Sequence, residues 1–184
     1  MILIFSAPSG SGKSTLVQHL LDTREDMELS ISATTRAPRG KEQDGKEYYF
    51  ISRERFEELI KQDAFVEYEQ VYQGTYYGTL RSEIDRIERA GHHVVFDIDV
   101  KGGINIKRMF GDKARAIFIA PPSLEILRER LTNRGTDSQE KIEERLAKAE
   151  TEMADAPMFD TILVNDDLSA TKQALDKEIA AFIH

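Results

Sequence analysis

Ser6-Ala7-Pro8-Ser9-Gly10-Ser11-Gly12-Lys13-Ser14-Thr15 stands near the start of the chain, between an apolar run at residues 2–5 and another at residues 16–21. The run Ile2-Leu3-Ile4-Phe5 is typical of a buried parallel strand. The spacing of Leu16, Leu20 and Leu21 is typical of one face of a helix. A glycine-rich stretch between a strand and a helix predicts a phosphate-binding loop.

The chemical groups of this stretch suit a bound polyphosphate. Gly10 and Gly12 leave room for backbone amides to close around phosphates, and a helix that opens at Ser14 adds the positive end of its dipole. We expect Lys13 to bridge the outer phosphates and the Ser14 hydroxyl to ligate magnesium. Ala7 replaces the first glycine of the usual pattern. The alternative, a glycine-rich surface turn, does not account for the strand, lysine, hydroxyl and helix in register.

Composition excludes several classes of protein. The 184 residues are enough for one substantial core with small inserted lobes. There is no cysteine for disulfides or thiolate chemistry, and the four histidines are too scattered for a zinc site. The net charge of −8 argues against a nucleic-acid surface. Residues 1–5 lack a basic leader and no apolar run is long enough for a membrane span, so we expect a cytoplasmic protein.

Predicted strands and helices alternate along most of the chain. We expect strands at residues 28–33, 47–51, 94–96, 116–120 and 161–164, and a strand pair over residues 65–77 with a turn near Gln73-Gly74. We expect helices that follow the capping residues Ser52, Thr79 and Ser123, a charged helix over residues 138–152 and a last helix from Ser169. The pattern predicts an α/β fold with a mostly parallel sheet covered on both faces and ligand sites at the carboxyl ends of its strands.

An apolar strand ends in two carboxylates at Asp97 and Asp99. Because the carboxyl ends of parallel strands meet at one edge of a sheet, we expect both to lie near the phosphate loop, where Asp97 can hold magnesium or its water shell. The alternative is an aspartate that serves solubility or caps a helix.

Arg36 and Arg39 lie three residues apart on a turn stiffened by proline, which suits a second phosphate. Tyr48 and Tyr77 could add phenolic donors. The alternative is a solvated basic turn.

Further along, Arg130, Arg134 and Arg145, with Arg128 nearby, lie on two helices in a segment without a strand. Arginines on a closing lid would neutralise a transferring phosphoryl group while water is excluded. Taken from spacing alone, a salt-bridged surface is the better interpretation of this segment.

Glu67 lies in a strand of apolar and aromatic residues, where a partly buried carboxylate needs donors. Guanine offers two adjacent donors, whereas adenine presents a ring acceptor at that edge. A site built around Glu67 could therefore discriminate strongly between guanine and adenine, because the wrong base leaves a buried charge unpaired.

These motifs together make the chain similar to the guanylate kinases, the nucleoside-monophosphate kinases that move a phosphoryl group from ATP to GMP. The resemblance extends along essentially all 184 residues and is carried by residues 6–15 and 32–39, Asp44-Gly45-Lys46-Glu47-Tyr48, Tyr76-Tyr77-Gly78-Thr79, Asp97-Ile98-Asp99, Ile119-Ala120-Pro121-Pro122-Ser123, Arg134-Gly135-Thr136 and Val164-Asn165-Asp166-Asp167. It implies a P-loop nucleoside-monophosphate kinase fold with a parallel-sheet core at residues 1–31, 80–122 and 157–184, an inserted GMP-binding lobe at residues 32–79 and a helical lid at residues 123–156. Val100-Lys101 departs from the family, in which many members carry a polar glutamine before the glycine.

The resemblance also implies the site residues. ATP would bind at Ala7, Pro8, Ser9, Gly10, Ser11, Gly12, Lys13, Ser14 and Thr15, with Asn165 near the adenine. The GMP phosphate would bind at Arg36, Arg39, Tyr48 and Tyr77, and its guanine at Ser32, Glu67, Thr79 and Asp99. Lys13, Arg130, Arg134 and Arg145 would be the catalytic groups. Magnesium bound with ATP would contact Ser14 and Asp97, the latter directly or through water.

The expected substrates are ATP and GMP, with dGMP as a further acceptor, and neither nucleic acid nor membrane is an expected partner. The oligomeric state stays open. Two alternatives remain: a kinase for another small molecule, against which Glu67 and Ser32 argue, and a non-catalytic peptide-binding module of the same fold. Lys13, Ser14, Asp97 and the lid arginines argue against the binding module.

Overall fold

The computed structural model describes residues 1–72, 74–135 and 137–183. The chain divides into two compact units, one formed by Met1–Glu25 with Val95–His184 and the other by Asp26–Val94. The boundaries given above for core, lobe and lid remain predictions.

Strands and helices alternate as the sequence predicts. The strands are β1 Ile2–Ser6, β2 Met27–Leu29, β3 Ala33–Thr34, β4 Tyr49–Phe50, β5 Phe65–Tyr72, β6 Thr75–Leu80, β7 His93–Asp97, β8 Ala114–Ala120 and β9 Thr161–Val164. The helices are α1 Lys13–Thr23, α2 Arg53–Lys61, α3 Arg81–Arg89, α4 Val100–Phe110, α5 Leu124–Asn133, α6 Gln139–Ala154 and α7 Leu168–Ile183, with short 3₁₀-helices at Gly111–Lys113 and Ala156–Met158.

The first unit is built on a parallel sheet in which strands lie in the order β7-β1-β8-β9. β1 pairs in parallel with β8, and β8 pairs in parallel with β9. Every residue of β1 is buried, as expected for a strand with helices on both faces of its sheet. The predicted α/β fold with a mostly parallel sheet is therefore confirmed.

Helices α5 and α6 pack against each other along their apolar faces. The buried residues of this contact are Leu127, Leu131, Ile142, Leu146 and Ala149. A serine caps the start of each helix: Ser123 accepts from the backbone N–H of Ile126 at 3.2 Å and Ser138 from that of Lys141 at 3.3 Å. The predicted cap at Ser123 is confirmed.

The second unit contains a sheet in the order β4-β3-β6-β5, with β5 and β6 antiparallel. Its core is aromatic: Phe56 of α2 stacks on Phe65 at 4.3 Å and on Tyr76 at 5.1 Å between ring centroids. Ser52 caps α2 by accepting from the N–H of Arg55 at 3.1 Å, as predicted.

Three local predictions for this unit are wrong. The predicted strand at residues 28–33 is two strands, β2 and β3, and the one at residues 47–51 shortens to β4. Thr79 does not cap α3: it lies within β6, and Leu80 precedes the helix without a side-chain cap. Its hydroxyl donates instead to Glu67, a partner distant in sequence. Of the predicted turn, Gln73 lies outside the described residues, and Gly74 has a φ of 80°.

Helix α4 is not predicted, because Gly102 and Gly103 disfavour a helix interior. Two contacts in the structure account for this helix. Asp99 caps the helix by accepting from the N–H of Gly102 at 2.7 Å. A Cβ on Gly103 would lie 2.5 Å from the hydroxyl oxygen of Ser6, so glycine is needed for the close approach of α4 to β1.

Within the described part of the chain, none of the helices has the length and apolar character needed to cross a membrane.

Candidate nucleotide-binding site

The loop after β1 has the backbone shape that a phosphate site needs. Gly10 and Gly12 have φ values of 98° and 93°, in the left-handed region that favours glycine. The N–H of Ser11 donates to the carbonyl of Pro8 at 3.1 Å, which closes a tight turn. Helix α1 begins at Lys13, one residue earlier than expected, so its unpaired N–H groups lie at this loop.

Ala7 does not disturb the loop. Among the described residues other than glycine, only Asp63 has a positive φ, so the backbone at Ala7 does not require glycine. Ala7 is 8% exposed, and its methyl group is accommodated at the end of β1. The departure from the usual glycine pattern thus leaves the fold of the loop intact.

The structure brings Lys13 and Asp97 together. The ammonium Nζ of Lys13 lies 2.7 Å from Oδ1 of Asp97 and donates to the backbone carbonyl of Ile98 at 2.9 Å. Asp97 ends β7, and Ser14 lies in the first turn of α1. The lysine of the loop and the carboxylate predicted for magnesium therefore share one edge of the sheet.

Ser14 and Asp97 fit a magnesium ion that arrives with a nucleotide. Both offer oxygen ligands, which Mg²⁺ prefers, and Mg²⁺ in nucleotide sites is commonly held by one or two protein oxygens together with substrate phosphates. Among the described residues no cluster of three or more histidine, cysteine, aspartate or glutamate side chains could hold a metal ion alone. The chemistry of these two donors thus suits an ion coordinated largely by phosphates.

Asp99 makes hydrogen bonds that stabilise the local fold. One of its side-chain oxygens, Oδ1, caps α4, and its backbone carbonyl accepts from the hydroxyl of Ser6 at 3.1 Å. The capping role that the sequence left open for the end of this strand is therefore performed by Asp99. Its predicted contact with guanine stays a prediction.

Two of the predicted arginines contact the loop or its support. Arg145 donates to the hydroxyl of Ser9, and its Nε lies 3.3 Å from Oδ2 of Asp137. Arg130 donates from Nη2 to the backbone carbonyl of Asn165 at 2.8 Å. Arg145 therefore contacts the phosphate loop directly, and Arg130 contacts Asn165, whose side chain contacts the loop.

The other two arginines lie elsewhere on these helices. Arg134 is exposed at the end of α5. Arg128 pairs with Glu143, with 2.9 Å between Nη2 and Oε2, and both side chains are about half exposed. The surface salt bridge that spacing favours is therefore correct for Arg128.

Asn165 also lies at the loop. Its side-chain Nδ2 donates to the carbonyl of Ser11 at 2.8 Å, and the residue is 6% exposed. Its placement beside the adenine stays a prediction.

Glu152 is a half-buried carboxyl group that sequence reasoning did not single out. Burial is the main effect that raises the pKa of Glu152, and the negative charge of Asp99 adds to it. The ammonium groups of Lys148, 3.4 Å away, and of Lys13 lower it. The charges of Asp99 and Lys13 in the candidate site therefore affect the pKa of Glu152 on α6.

In the second unit, Arg36 is held by several partners. It forms a bidentate ion pair with Glu42, with Nη1–Oε2 and Nη2–Oε1 distances of 2.7 and 2.8 Å. Its Nε donates to the hydroxyl of Tyr77 at 3.0 Å, and its guanidinium carbon lies 4.9 Å from the ring centre of Tyr48. Three of the predicted phosphate-binding residues are therefore in mutual contact.

Glu42 organises the turn that carries both predicted arginines. Besides pairing with Arg36, it accepts from the backbone N–H of Arg39 at 2.7 Å. Hydrogen bonds from Arg36, and then from Arg39, lower the pKa of Glu42 to about 2, so this carboxylate is charged at neutral pH. The Arg39 residue itself is exposed. Burial raises the pKa of the Tyr48 phenol, which keeps it protonated as a donor.

The predicted guanine residues of this unit are only partly in contact. The hydroxyl of Thr79, which is fully buried, donates to Oε1 of Glu67 at 2.9 Å. Ser32 precedes β3, and its carbonyl accepts from the N–H of Tyr49 at 2.9 Å. Asp99, the fourth predicted guanine residue, belongs to the first unit.

Sequence reasoning missed Glu42 and Asp137, the carboxylates that hold Arg36 and Arg145. For Glu42 a signal was present, because Arg36, Arg39 and Glu42 follow one another at three-residue spacing around Gly40. For Asp137, beside Gly135, the sequence indicated only a turn.

Comparisons with known proteins agree on one family. A family model described as guanylate kinase matches residues 1–182. The chain is 54% identical to a guanylate kinase of Porphyromonas gingivalis over 99% of this chain and 97% of that protein. It is 51% identical to a guanylate kinase of Bacteroides thetaiotaomicron over 100% of this chain and 90% of that protein.

A solved structure is also similar. The crystal structure of guanylate kinase from Anaplasma phagocytophilum superposes with a TM-score of 0.73 at 30% identity, covering 98% of this chain and 85% of that one.

Proposed function

Because the chain belongs to the guanylate kinase family and is therefore an ATP:GMP phosphotransferase, we propose that the residues of its two units act as an ATP site and a GMP site. The reaction transfers the terminal phosphoryl group of ATP to GMP and gives ADP and GDP. The observation that carries the assignment of the ATP site is the 2.7 Å contact between Lys13 and Asp97 at the start of α1.

The ATP phosphates bind at residues 7–15. The left-handed glycines and the N-terminus of α1 direct backbone N–H groups toward an anion. Lys13 lies against Asp97 and can contact the outer phosphates with its ammonium group. Asn165 belongs to this site through its contact with Ser11.

The GMP phosphate binds at Arg36, Arg39, Tyr48 and Tyr77. Arg36 is supported in one orientation by Glu42 and Tyr77, so its planar guanidinium loses little freedom when a phosphate binds. The guanine binds at Ser32, Glu67 and Thr79, of which Glu67 and Thr79 are already linked by a hydrogen bond. A carboxylate there accepts from the two adjacent donors of guanine and repels the ring acceptor of adenine.

Transfer needs no covalent intermediate. The acceptor phosphate of GMP is already ionised, so catalysis consists of alignment and neutralisation of charge on the moving group. Lys13, Arg130, Arg134 and Arg145 supply that positive charge. Arg145 contacts Ser9 of the loop, and Arg130 contacts the carbonyl of Asn165. Both arginines lie on the helices that we assign to a lid, and closure of a lid would also exclude water.

Magnesium is the proposed cofactor, held by Ser14 and Asp97 together with the phosphates of ATP. When bound, the ion neutralises charge on the phosphates during transfer. We also propose that dGMP is accepted, that the protein acts in the cytoplasm within purine nucleotide metabolism, and that it binds no nucleic acid.

The alternatives from the sequence are less well supported. A kinase for another small molecule would not need Glu67 and Thr79 as a pair that recognises guanine. A peptide-binding module would not need Lys13 and Asp97 in contact at an intact phosphate loop.

The test is the variant Lys13→Met, compared with Lys113→Met, which removes an exposed lysine on the 3₁₀-helix at Gly111–Lys113. We expect Lys13→Met to lower the kcat for GMP phosphorylation about 100-fold or more, since it removes positive charge from the transition state. Affinity for GMP stays unchanged in both variants. Full kcat in Lys13→Met would contradict the assignment.

A further inference from the structure

We propose that Asn165 is a positioning residue of the phosphate loop, whose side-chain amide fixes the backbone at Ser11 and Gly12 and so sets the affinity of the loop for phosphates. The inference rests on the ATP site proposed above. It gives Asn165 a role that requires no contact with the adenine.

Asn165 is fixed to the sheet. Its backbone N–H donates to the carbonyl of Ala120 at 2.8 Å, which extends the pairing of β8 and β9 by one residue. The turn that follows is closed by the buried Thr171, whose hydroxyl donates to the carbonyls of Val164 and Asp167 at 3.3 and 2.8 Å. The side chain of Asn165 therefore starts from a rigid support.

The side-chain amide of Asn165 contacts the backbone of the loop. Its Nδ2 donates to the carbonyl of Ser11 at 2.8 Å, in a buried contact between residues 154 positions apart. A Cβ on Gly12 would lie 2.3 Å from the same Nδ2, so the amide lies directly against the backbone of Gly12. Ser11 is fully buried, and without this donor its carbonyl would have to find another partner.

The direction of this hydrogen bond determines where the next N–H group points. The peptide between Ser11 and Gly12 is trans, so the carbonyl of Ser11 and the N–H of Gly12 point in opposite directions. With the carbonyl held by Asn165, the N–H of Gly12 faces away from it. A phosphate-binding loop depends on backbone N–H groups held in fixed directions.

The same residue supports a proposed catalytic arginine. Nη2 of Arg130 donates to the backbone carbonyl of Asn165 at 2.8 Å. That contact uses a main-chain atom, so a change of the Asn165 side chain leaves it in place. A side-chain variant thus tests the contact with the loop separately from the contact with Arg130.

The experiment compares Asn165→Ala with Asn105→Ala, which removes an exposed asparagine of α4. Calorimetry measures the Kd of magnesium ATP and of magnesium tripolyphosphate, which carries a phosphate chain and no base. We expect Asn165→Ala to weaken both ligands by about tenfold, the size expected for loss of one buried hydrogen bond. The KM for GMP stays unchanged, and Asn105→Ala binds both ligands as the wild type does.

Two results would overturn the inference. If Asn165→Ala weakens ATP and leaves tripolyphosphate unchanged, the side chain acts on the base. If neither ligand is weakened, the amide does not position the loop. A wild-type protein that fails to bind ATP or to phosphorylate GMP would instead overturn the proposed function.

A second measurement does not depend on the folding of a variant. In a crystal structure of the wild-type protein with magnesium and a non-hydrolysable ATP analogue, we expect Nδ2 of Asn165 within hydrogen-bond distance of the Ser11 carbonyl. An amide turned away from Ser11 to contact the adenine would contradict the proposal.

Discussion

Lys13 and Asp97 form an ion pair, with 2.7 Å between Nζ and Oδ1, and Lys13 also donates to the carbonyl of Ile98 at 2.9 Å. The pair joins the phosphate loop to the end of β7. Both side chains are also proposed to act on the nucleotide, Lys13 on its phosphates and Asp97 on its magnesium. Variants of the positively charged Lys13 and of the negatively charged Asp97 therefore test two different parts of the proposed ATP site.

Asp97→Asn removes a negative oxygen ligand and keeps the shape of the side chain. We expect the magnesium concentration for half-maximal activity to rise about tenfold or more, as is usual when a residue that supports a metal is changed. The measurement is a magnesium titration of GMP phosphorylation at saturating ATP.

The control is Asp112→Asn, an exposed aspartate on the 3₁₀-helix at Gly111–Lys113. It should leave the titration unchanged. An unchanged magnesium requirement in Asp97→Asn would exclude Asp97 from the metal site.

Arg145→Ala should lower kcat by about 100-fold or more, because Arg145 contacts Ser9 of the phosphate loop and is proposed to supply positive charge to the transferring group. Arg128→Ala is the matched control, since Arg128 lies in the same pair of helices and pairs with the exposed Glu143. Steady-state kinetics of both variants decide the matter. Equal losses in the two variants would mean that Arg145 acts only through the stability of the helices.

Glu67→Gln should lower kcat/KM for GMP about 10- to 100-fold, because an amide group opposes one of the two donors of guanine. Glu69→Gln changes an exposed carboxylate two residues further along β5 and should have no effect. Competition between GMP and AMP as acceptors measures the selectivity. Undiminished preference for GMP in Glu67→Gln would rule out Glu67 as the base reader.

Glu42 should make stability depend on pH. Its pKa is about 2 in the folded protein against an ordinary value of 4.5, so its pairing with Arg36 stabilises the fold fully above about pH 4.5. That contribution is lost as the pH falls from about 4.5 to about 2.

Thermal unfolding of the wild type and of Glu42→Gln at several pH values provides the test. The wild type should have the higher Tm at pH 7, and the difference should shrink across the acid range. A difference that stays constant down to about pH 2 would show that the charge of Glu42 is not what stabilises the turn.

The sequence was most informative where neighbouring residues determine structure. The strand, loop and helix at residues 2–21 follow from glycine spacing and apolar periodicity, and the structure has them. The caps at Ser52 and Ser123 bond to groups three residues away, which a local pattern can predict.

The sequence was least informative where partners are distant. Helix α4 depends on the close approach of Gly103 to Ser6, which no local pattern predicts. Likewise, the sequence predicts Thr79 as a helix cap, whereas in the structure its hydroxyl donates to Glu67 on the adjacent strand. The support of the loop by Asn165 joins residues 154 positions apart, so only the fold could show it.

The most direct test of the central claim is ATP-dependent phosphorylation of GMP, AMP, CMP, UMP and dTMP by the purified protein, with Lys13→Ala as the control for contaminating kinases. The expected result is turnover selective for GMP that disappears in Lys13→Ala. Correctly folded wild-type protein that phosphorylates none of these nucleotides, or that prefers an acceptor other than GMP, would contradict it.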